Sequence, residues 1–226
     1  MINHDEILSI LQHGDSFFPS GAVSFSWGSE TLIEEQIIKS KDDVEAFVIN
    51  QLTQRWQYFD RIVIVSAYCQ CDKFNELEKL DNYVETLMLN KEFREASKQL
   101  GTAMLSTHES LGNNIASEYL NRVYQGTACG HQNITQALIW KSIKLSLDSI
   151  QYISAYNLSV NILSATLRLA KLGHIESQAI LKRLHSTIIK TISKDGPDIN
   201  GIKAYTPCTD IASMRHEVSN SRLFIN

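Results

Sequence analysis

The sequence predicts an all-α fold, with a single-domain bundle of roughly ten helices over 1–194 and an irregular tail over 195–226. Two observations favour this fold. Turn-forming residues are scarce, because the 226 residues include 10 glycines and 3 prolines, with no proline between Ser20 and Asp195; strand-rich folds need turn signals about every 8–12 residues. Apolar residues also recur at helical spacings of three and four. At this length, with 43% hydrophobic residues, the chain can bury a substantial core.

The first predicted elements are a short helix and an apolar loop. Between Asp5 and His13, isoleucines and leucines recur on one face of an amphipathic helix. The segment 14–30 then mixes three phenylalanines and a tryptophan with hydroxylated residues and three glycines. Such a loop is too apolar for a solvated linker, so we expect it to pack against the core or against a partner.

Several helices are predicted in the middle of the chain. Ser40 is a suitable helix cap, since acidic residues follow in the first turn. The β-branched run 61–67 is compatible with a strand, but its apolar stripe continues at helical spacing and favours a helix. Asn90–His108 is the clearest amphipathic helix. Gly101, inside it, indicates the close approach of a neighbouring helix.

The last helices and the tail follow from the same patterns. Two long helices are predicted between Thr127 and Lys171, and Gly173 separates them from a final helix. After Lys194 the periodicity stops and proline and glycine return, which predicts the irregular tail.

The charge and composition of the chain argue against several classes of protein. A net charge of -4 argues against nucleic-acid binding, which needs a basic face. The N-terminus lacks the layout of a secretory signal, and no uncharged apolar run approaches the about 18 residues of a membrane span. The four cysteines show no disulfide-framework spacing. We therefore expect a cytoplasmic protein that binds neither membranes nor nucleic acids.

The sequence contains none of the main enzyme signatures. Phosphate-binding loops, zinc-protease helices, nucleophile elbows and dinucleotide-binding glycine motifs are all missing, so neither a catalytic residue nor a cofactor is predicted. Cys69 with Cys71, and Cys129 with His131, are chemically suited to metal ions. Residues two apart point to opposite sides of a helix, so no metal site is predicted from either pair.

Four segments of the chain resemble known motifs, beginning with 18–31, FPSGAVSFSWGSET, and 94–101, REASKQLG. These two are similar to the N-terminal signature and the central helix of the urease accessory protein F family. The segment 169–178 resembles the family's Leu-Gly-Gln turn, with Lys171 and His174 where the family usually has proline and glutamine. The segments 214–217 and 221–224 match its C-terminal ending.

The resemblance implies an all-helical accessory protein without catalysis of its own, tending to dimerise. It implies binding to urease accessory protein D, called H in some organisms, largely through the tail. That pair recruits the nickel-carrying GTPase, accessory protein G, to apo-urease. The expected partner-binding residues are Pro19, Gly21, Ser24, Ser26, Gly28 and Glu30 in the loop, and Arg215, His216, Glu217, Arg222, Leu223 and Phe224 in the tail.

Alternatives remain open at this point. The tail is also compatible with a strap that packs on its own domain, and the loop with a plug between core helices. A second function, regulation of the partner GTPase's nucleotide turnover, would require an arginine finger. Arg94 and Arg122 are the candidates for that finger.

Overall fold

A computed structural model describes residues 3–15, 17–19, 25–194, 198–203, 206–217 and 223–224. These ranges contain helices and no strand, so the all-α prediction is confirmed. Within them, no helix combines the length and apolar character needed to cross a bilayer. The α-helices are α1 His4–Gly14, α2 Ser29–Glu34, α3 Lys41–Asn50, α4 Arg61–Gln70, α5 Phe74–Leu87, α6 Lys91–Ser110, α7 Asn114–Tyr124, α8 Gln132–Ser142, α9 Leu147–Arg168, α10 His174–Ile192 and α11 Pro207–His216.

One continuous helix runs from α3 through a π-helix, Gln51–Asp60, into α4. It begins as predicted at Ser40, whose Oγ accepts a hydrogen bond from the Asp43 amide at 3.2 Å, while the Asp43 carboxylate accepts one from the Ser40 amide at 2.9 Å. This reciprocal cap satisfies two otherwise unpaired helix-terminal donors. The helical interpretation of 61–67 is confirmed, because this segment lies in α4 and most of its β-branched side chains are buried in the interior.

Two hydrophobic clusters form most of the core. The first lies between the end of the π-helix, α4, α5, α6, α7, α8 and the start of α9, and the second between α2, α3, the π-helix, the rest of α9 and α10. The 41–70 helix supplies residues to both. Large members of the first cluster are Phe59, Ile64, Leu105, Tyr119 and Trp140; those of the second are Val48, Leu52, Trp56, Ile162 and Leu184.

A buried arginine ties the middle of the long helix to the end of α10. The Arg61 guanidinium donates to Gln151 Oε1 at 2.8 Å and to the carbonyls of Thr191 and Ile192 at 3.0 and 2.8 Å. Those carbonyls lie at the negative end of the α10 dipole, where a cation is stabilising. Burial lowers the pKa of Arg61, but a guanidinium remains charged at any physiological pH.

The helix α11 departs from the prediction of an irregular tail. It packs against α2 and α6, although its sequence has no hydrophobic periodicity. The physical reason is that its buried residues are small or polar: Thr209, Ala212, Ser213 and His216. Its interior face is held by hydrogen bonds and close backbone approach, which an apolar pattern cannot reveal.

Gly101 is confirmed as a point of close approach, since it lies against Gly130 in the loop before α8 and against Gln132, the first residue of α8. A Cβ atom at Gly101 would lie 2.0 Å from the Gly130 carbonyl oxygen. Gly130 itself has a φ of 75°, in the region that favours glycine. The two glycines together let this loop cross α6 in contact with its backbone.

We expect Gly101→Ala to destabilise the protein by about 2–4 kcal/mol, because the new methyl group overlaps a backbone carbonyl that has no room to move. Gly14→Ala is the matched control, since its Cβ would meet nothing nearer than Asn157 Oδ1 at 3.9 Å. Urea denaturation of both variants measures the difference. Equal stability of the two would contradict the close contact.

Two buried histidines connect α1 to α6. His13 Nδ1 lies 2.8 Å from the Ser9 carbonyl and donates to it, so His13 Nε2 accepts from His108 Nε2 at 3.0 Å. This arrangement requires a neutral His13 ring, because its Nε2 must keep a free lone pair. Burial lowers the pKa of both histidines, and that of His108, with the added effect of the neighbouring His13, falls to about 4.

We expect stability to fall as the pH drops below about 6.5, where the unfolded histidines take up protons that the folded pair excludes. The depressed pKa values mean that this contribution is complete above pH 6.5 and is lost toward pH 4. At about pH 5.5 the free energy of unfolding should be lower by about 1–3 kcal/mol than at neutral pH. Denaturation at about pH 7 and about pH 5.5, compared with a His13→Asn/His108→Asn double variant, measures it. The same pH dependence in both proteins would show that other groups are responsible.

Candidate functional site

The apolar loop and the C-terminal segment meet at Glu30. This residue lies in the first turn of α2 and is 3% exposed. Its carboxylate accepts hydrogen bonds from the Leu223 amide at 2.7 Å and the Phe224 amide at 3.2 Å. Two segments that are almost 200 residues apart in the sequence therefore form one structural unit, which we call the Glu30 junction.

His216 continues the junction into α6. Its ring, 1% exposed, places Nε2 at 3.1 Å from Glu30 Oε2 and Nδ1 at 3.2 Å from Glu92 Oε1. Each ring nitrogen therefore lies within hydrogen-bonding distance of one carboxylate. The imidazole thus joins the start of α2 to the start of α6.

Asn90 connects the same end of α6 to α11. Its Oδ1 accepts from the Phe93 amide at 3.1 Å and so caps α6, and it also accepts from Ser213 Oγ at 3.2 Å. Its Nδ2 donates to the Asp210 carbonyl at 3.0 Å. One side chain therefore fixes both the beginning of α6 and the position of α11 beside it.

Gly28 allows α11 to approach the loop. Its φ is 78°, and a Cβ there would lie 3.3 Å from both Cγ2 and the carbonyl oxygen of Thr209. Both the backbone conformation and the space therefore favour glycine. This gives the glycine of the N-terminal motif a structural reason.

The end of the described chain has one buried and one exposed side chain. Phe224 is 5% exposed, with its ring centroid 4.4 Å from Arg168 Cζ, a cation–π arrangement. Leu223 is 64% exposed. Arg215 lies at the surface of α11 and donates two hydrogen bonds of 2.9 Å to Glu35.

The structure brings together some of the predicted partner-binding residues and leaves others apart. Ser26, Gly28, Glu30, His216 and Phe224 lie at the junction; Pro19, Arg215, Glu217 and Leu223 are exposed; Gly21, Ser24 and Arg222 lie outside the described residues. Sequence reasoning missed Asn90 and Glu92. Their position at the predicted start of a helix was visible, but nothing in the sequence indicated that α11 would face it.

A second polar cluster lies on the far side of α6, around Asp81. Its carboxylate, wholly buried, accepts from the amides of Cys129, Gly130 and His131 at 3.0, 2.7 and 3.1 Å, and from Tyr119 Oη at 2.9 Å. Burial raises the pKa of Asp81, while the nearby His131 and the hydrogen bonds from Gly130, His131 and Tyr119 oppose the shift. The loop before α8 is thus held at three successive amides.

This loop corrects the geometry assumed for Cys129 and His131. The helix α8 begins at Gln132, so the two residues are not helical neighbours. Their ligand atoms and a Glu85 carboxylate oxygen lie within 4.8 Å of one another. His131 Nε2 contacts Glu85 Oε2 at 2.8 Å, and Nδ1 contacts Ser97 Oγ at 3.1 Å.

The other cysteine pair points in two directions. Cys69 is exposed and Cys71 is buried, with its Sγ 3.1 Å from the Ala67 carbonyl. Burial raises the pKa of Cys71 to about 12. This pair does not converge on a common point.

The two arginine-finger candidates are held by contacts within the chain. Arg94 donates to the Met88 carbonyl at 2.8 Å, and its Nε lies 3.3 Å from Glu85 Oε1. Arg122 pairs with Glu78 at 2.7 Å, and its Cζ lies 5.0 Å from the Phe74 ring centroid. Each guanidinium already has an anionic partner.

We expect Glu30→Gln to loosen the C-terminal segment, because an amide is a weaker acceptor than a carboxylate for the two backbone donors and His216. Hydrogen exchange at the Leu223 and Phe224 amides measures this, with at least a tenfold loss of protection expected. Glu35→Gln is the control, since it removes only the exposed pair with Arg215. Unchanged protection in Glu30→Gln would mean that other contacts hold the segment.

Comparison with known proteins finds matches to a single family. A family model described as UreF matches residues 38–185. The urease accessory protein UreF of Yersinia pseudotuberculosis serotype IB is 29% identical over 231 residues, covering 100% of both chains. The UreF proteins of Yersinia enterocolitica serotype O:8 and Yersinia pestis strain Pestoides F are each 28% identical, with the same full coverage.

Proposed function

The chain belongs to the UreF family of urease accessory proteins, and we propose that it is a scaffold without catalysis of its own. In this proposal it joins urease accessory protein D, or H, to the accessory GTPase G and presents both to apo-urease. Nickel is the cargo of the assembly. The observation that carries the proposal is the Glu30 junction, because it assembles the family's two terminal motifs into one surface.

The proposed docking surface for protein D consists of the outward side of α11 and Leu223. Its apolar members, Ile211, Met214 and Leu223, are 49%, 48% and 64% exposed. Arg215 lies among them, with its side chain 61% exposed. Methionine and arginine are types enriched in protein interfaces, so this surface suits a protein partner better than a small ligand.

The junction divides the predicted docking residues into two roles. His216 and Phe224 are buried against the chain's own body, so their contribution to docking is to position α11 and Leu223. Leu223 and Arg215 are both exposed at the surface, where Arg215 is hydrogen-bonded to Glu35. A strap and a docking segment are therefore compatible descriptions of the same 32 residues over 195–226.

The contacts of Arg94 and Arg122 favour scaffolding over regulation of GTP turnover. An arginine finger must enter the active site of a GTPase. Freeing the Arg122 guanidinium would break its ion pair with Glu78, and freeing that of Arg94 would break both its ion pair with Glu85 and its hydrogen bond to the Met88 carbonyl.

We further propose a homodimer in the cytoplasm, following the family resemblance. An apolar groove of about 1100 Å³ between α1, α9 and α10 gives a second copy a surface to cover. Exposed Leu8 and Leu11 lie beside it.

Sedimentation equilibrium of the full chain should give twice the 25.6 kDa monomer mass. The Leu11→Glu variant should shift the measured mass toward that of the monomer. A monomeric native chain would contradict the proposal.

We expect Leu223→Ser to weaken co-purification with protein D at least tenfold, because a central apolar anchor is lost. Leu111→Ser is the matched control, since Leu111 is equally exposed at 64% but lies at the opposite end of α6. A chain cut after Lys194 should also lose binding. Equal binding by all three and the native chain would move the interface onto the helical body.

A further inference from the structure

Three different metal-binding side chains converge where α5 faces the loop before α8. We propose that Glu85, Cys129 and His131 bind one divalent transition-metal ion, of the class of Ni²⁺, Co²⁺ or Zn²⁺. The three ligand atoms lie within 4.8 Å of one another. A fourth coordination position remains for water or for a donor from a partner, as in sites that exchange ligands.

The backbone that carries two of the ligands is fixed in advance. Asp81 accepts the amides of Cys129, Gly130 and His131. Gly130, with a φ of 75°, turns the chain so that the thiol and the imidazole reach the same side. An ion would therefore meet a loop that needs little ordering, which reduces the entropic cost of binding.

The imidazole has the second partner that metal-binding histidines usually have. Ser97 Oγ lies 3.1 Å from His131 Nδ1 and orients the ring so that Nε2 faces Glu85 Oε2. When Nε2 binds the ion, the ring proton sits on Nδ1 and is donated to Ser97. The His131 side chain is wholly buried, whereas that of Glu85 is 31% exposed, so an ion enters from the carboxylate side.

The donor set selects the class of ion. Thiolate and imidazole suit Ni²⁺, Co²⁺ and Zn²⁺, whereas Mg²⁺ and Ca²⁺ prefer oxygen alone. Tetrahedral binding requires donor atoms about 3.5 Å apart, so the three ligand atoms must adjust their spacing as the ion binds. The metal ion replaces the thiol proton of Cys129, which is released to solvent as the sulfur binds the ion.

Two positively charged side chains compete with the metal ion for Glu85. Lys98 Nζ and Arg94 Nε each lie 3.3 Å from Glu85 Oε1, the oxygen that does not face His131. Lys98 has a second partner, Glu95, at 2.9 Å, so it can move away from Glu85. Removing its charge with Lys98→Gln should therefore tighten metal binding severalfold.

Titration of the metal-free full-length chain with Co²⁺ tests the site. We expect one Co²⁺ per chain, with a near-ultraviolet thiolate-to-cobalt charge-transfer band and the visible bands of a four-coordinate ion. Cys129→Ser should abolish the charge-transfer band, and Glu85→Gln should weaken binding at least tenfold. The exposed Cys69 and Cys208 supply matched controls, since Cys69→Ser and Cys208→Ser should leave the spectrum unchanged.

Several outcomes would overturn the proposal. One is the absence of a charge-transfer band at stoichiometric Co²⁺, and another is a band that survives Cys129→Ser. A band lost in Cys69→Ser or Cys208→Ser would place the ion elsewhere. Unchanged or weaker binding by Lys98→Gln would remove Glu85 from the ligands. Thermal unfolding of each variant shows that it is folded, and a Ni²⁺ titration by calorimetry repeats the series independently of the spectrum.

Discussion

The position of the C-terminal segment depends on one buried carboxylate, that of Glu30. It accepts two backbone amides from residues 223–224 and contacts the His216 ring. A carboxylate removed from water is tolerated only when its lone pairs are satisfied, and among the described residues these donors come from the C-terminal segment. Glu92 on the other side of the ring extends the arrangement to α6.

The sequence predicted the helices well where an apolar stripe marked them, as in α6, α9 and α10. The cap at Ser40 and the close approach at Gly101 were also predictable, because each depends on one residue's local chemistry. The helix α11 was not, since its interior face is made of small and polar residues. Its formation depends on partners in α2 and α6 that only the folded chain brings near.

The candidate sites show the same division. The residues of the Glu30 junction were identified one by one through the family motifs, but their pairing with Asn90 and Glu92 was not. For Cys129 and His131 the chemistry was recognised and the geometry was wrong. The spacing argument assumed a helix, whereas Gly130 makes a turn there. Spacing rules predict which side chains meet only after the local backbone is known.

The continuous helix over 41–70 has a consequence for how the protein unfolds. Its first half is built into one hydrophobic cluster and its second half into the other, with Arg61 fastening the middle to the end of α10. If either cluster unfolds, one half of this helix loses its packing contacts. A helical segment as short as one half is only marginally stable without tertiary contacts. The two clusters should therefore be lost together, as a single cooperative unit, even though each has its own set of core side chains.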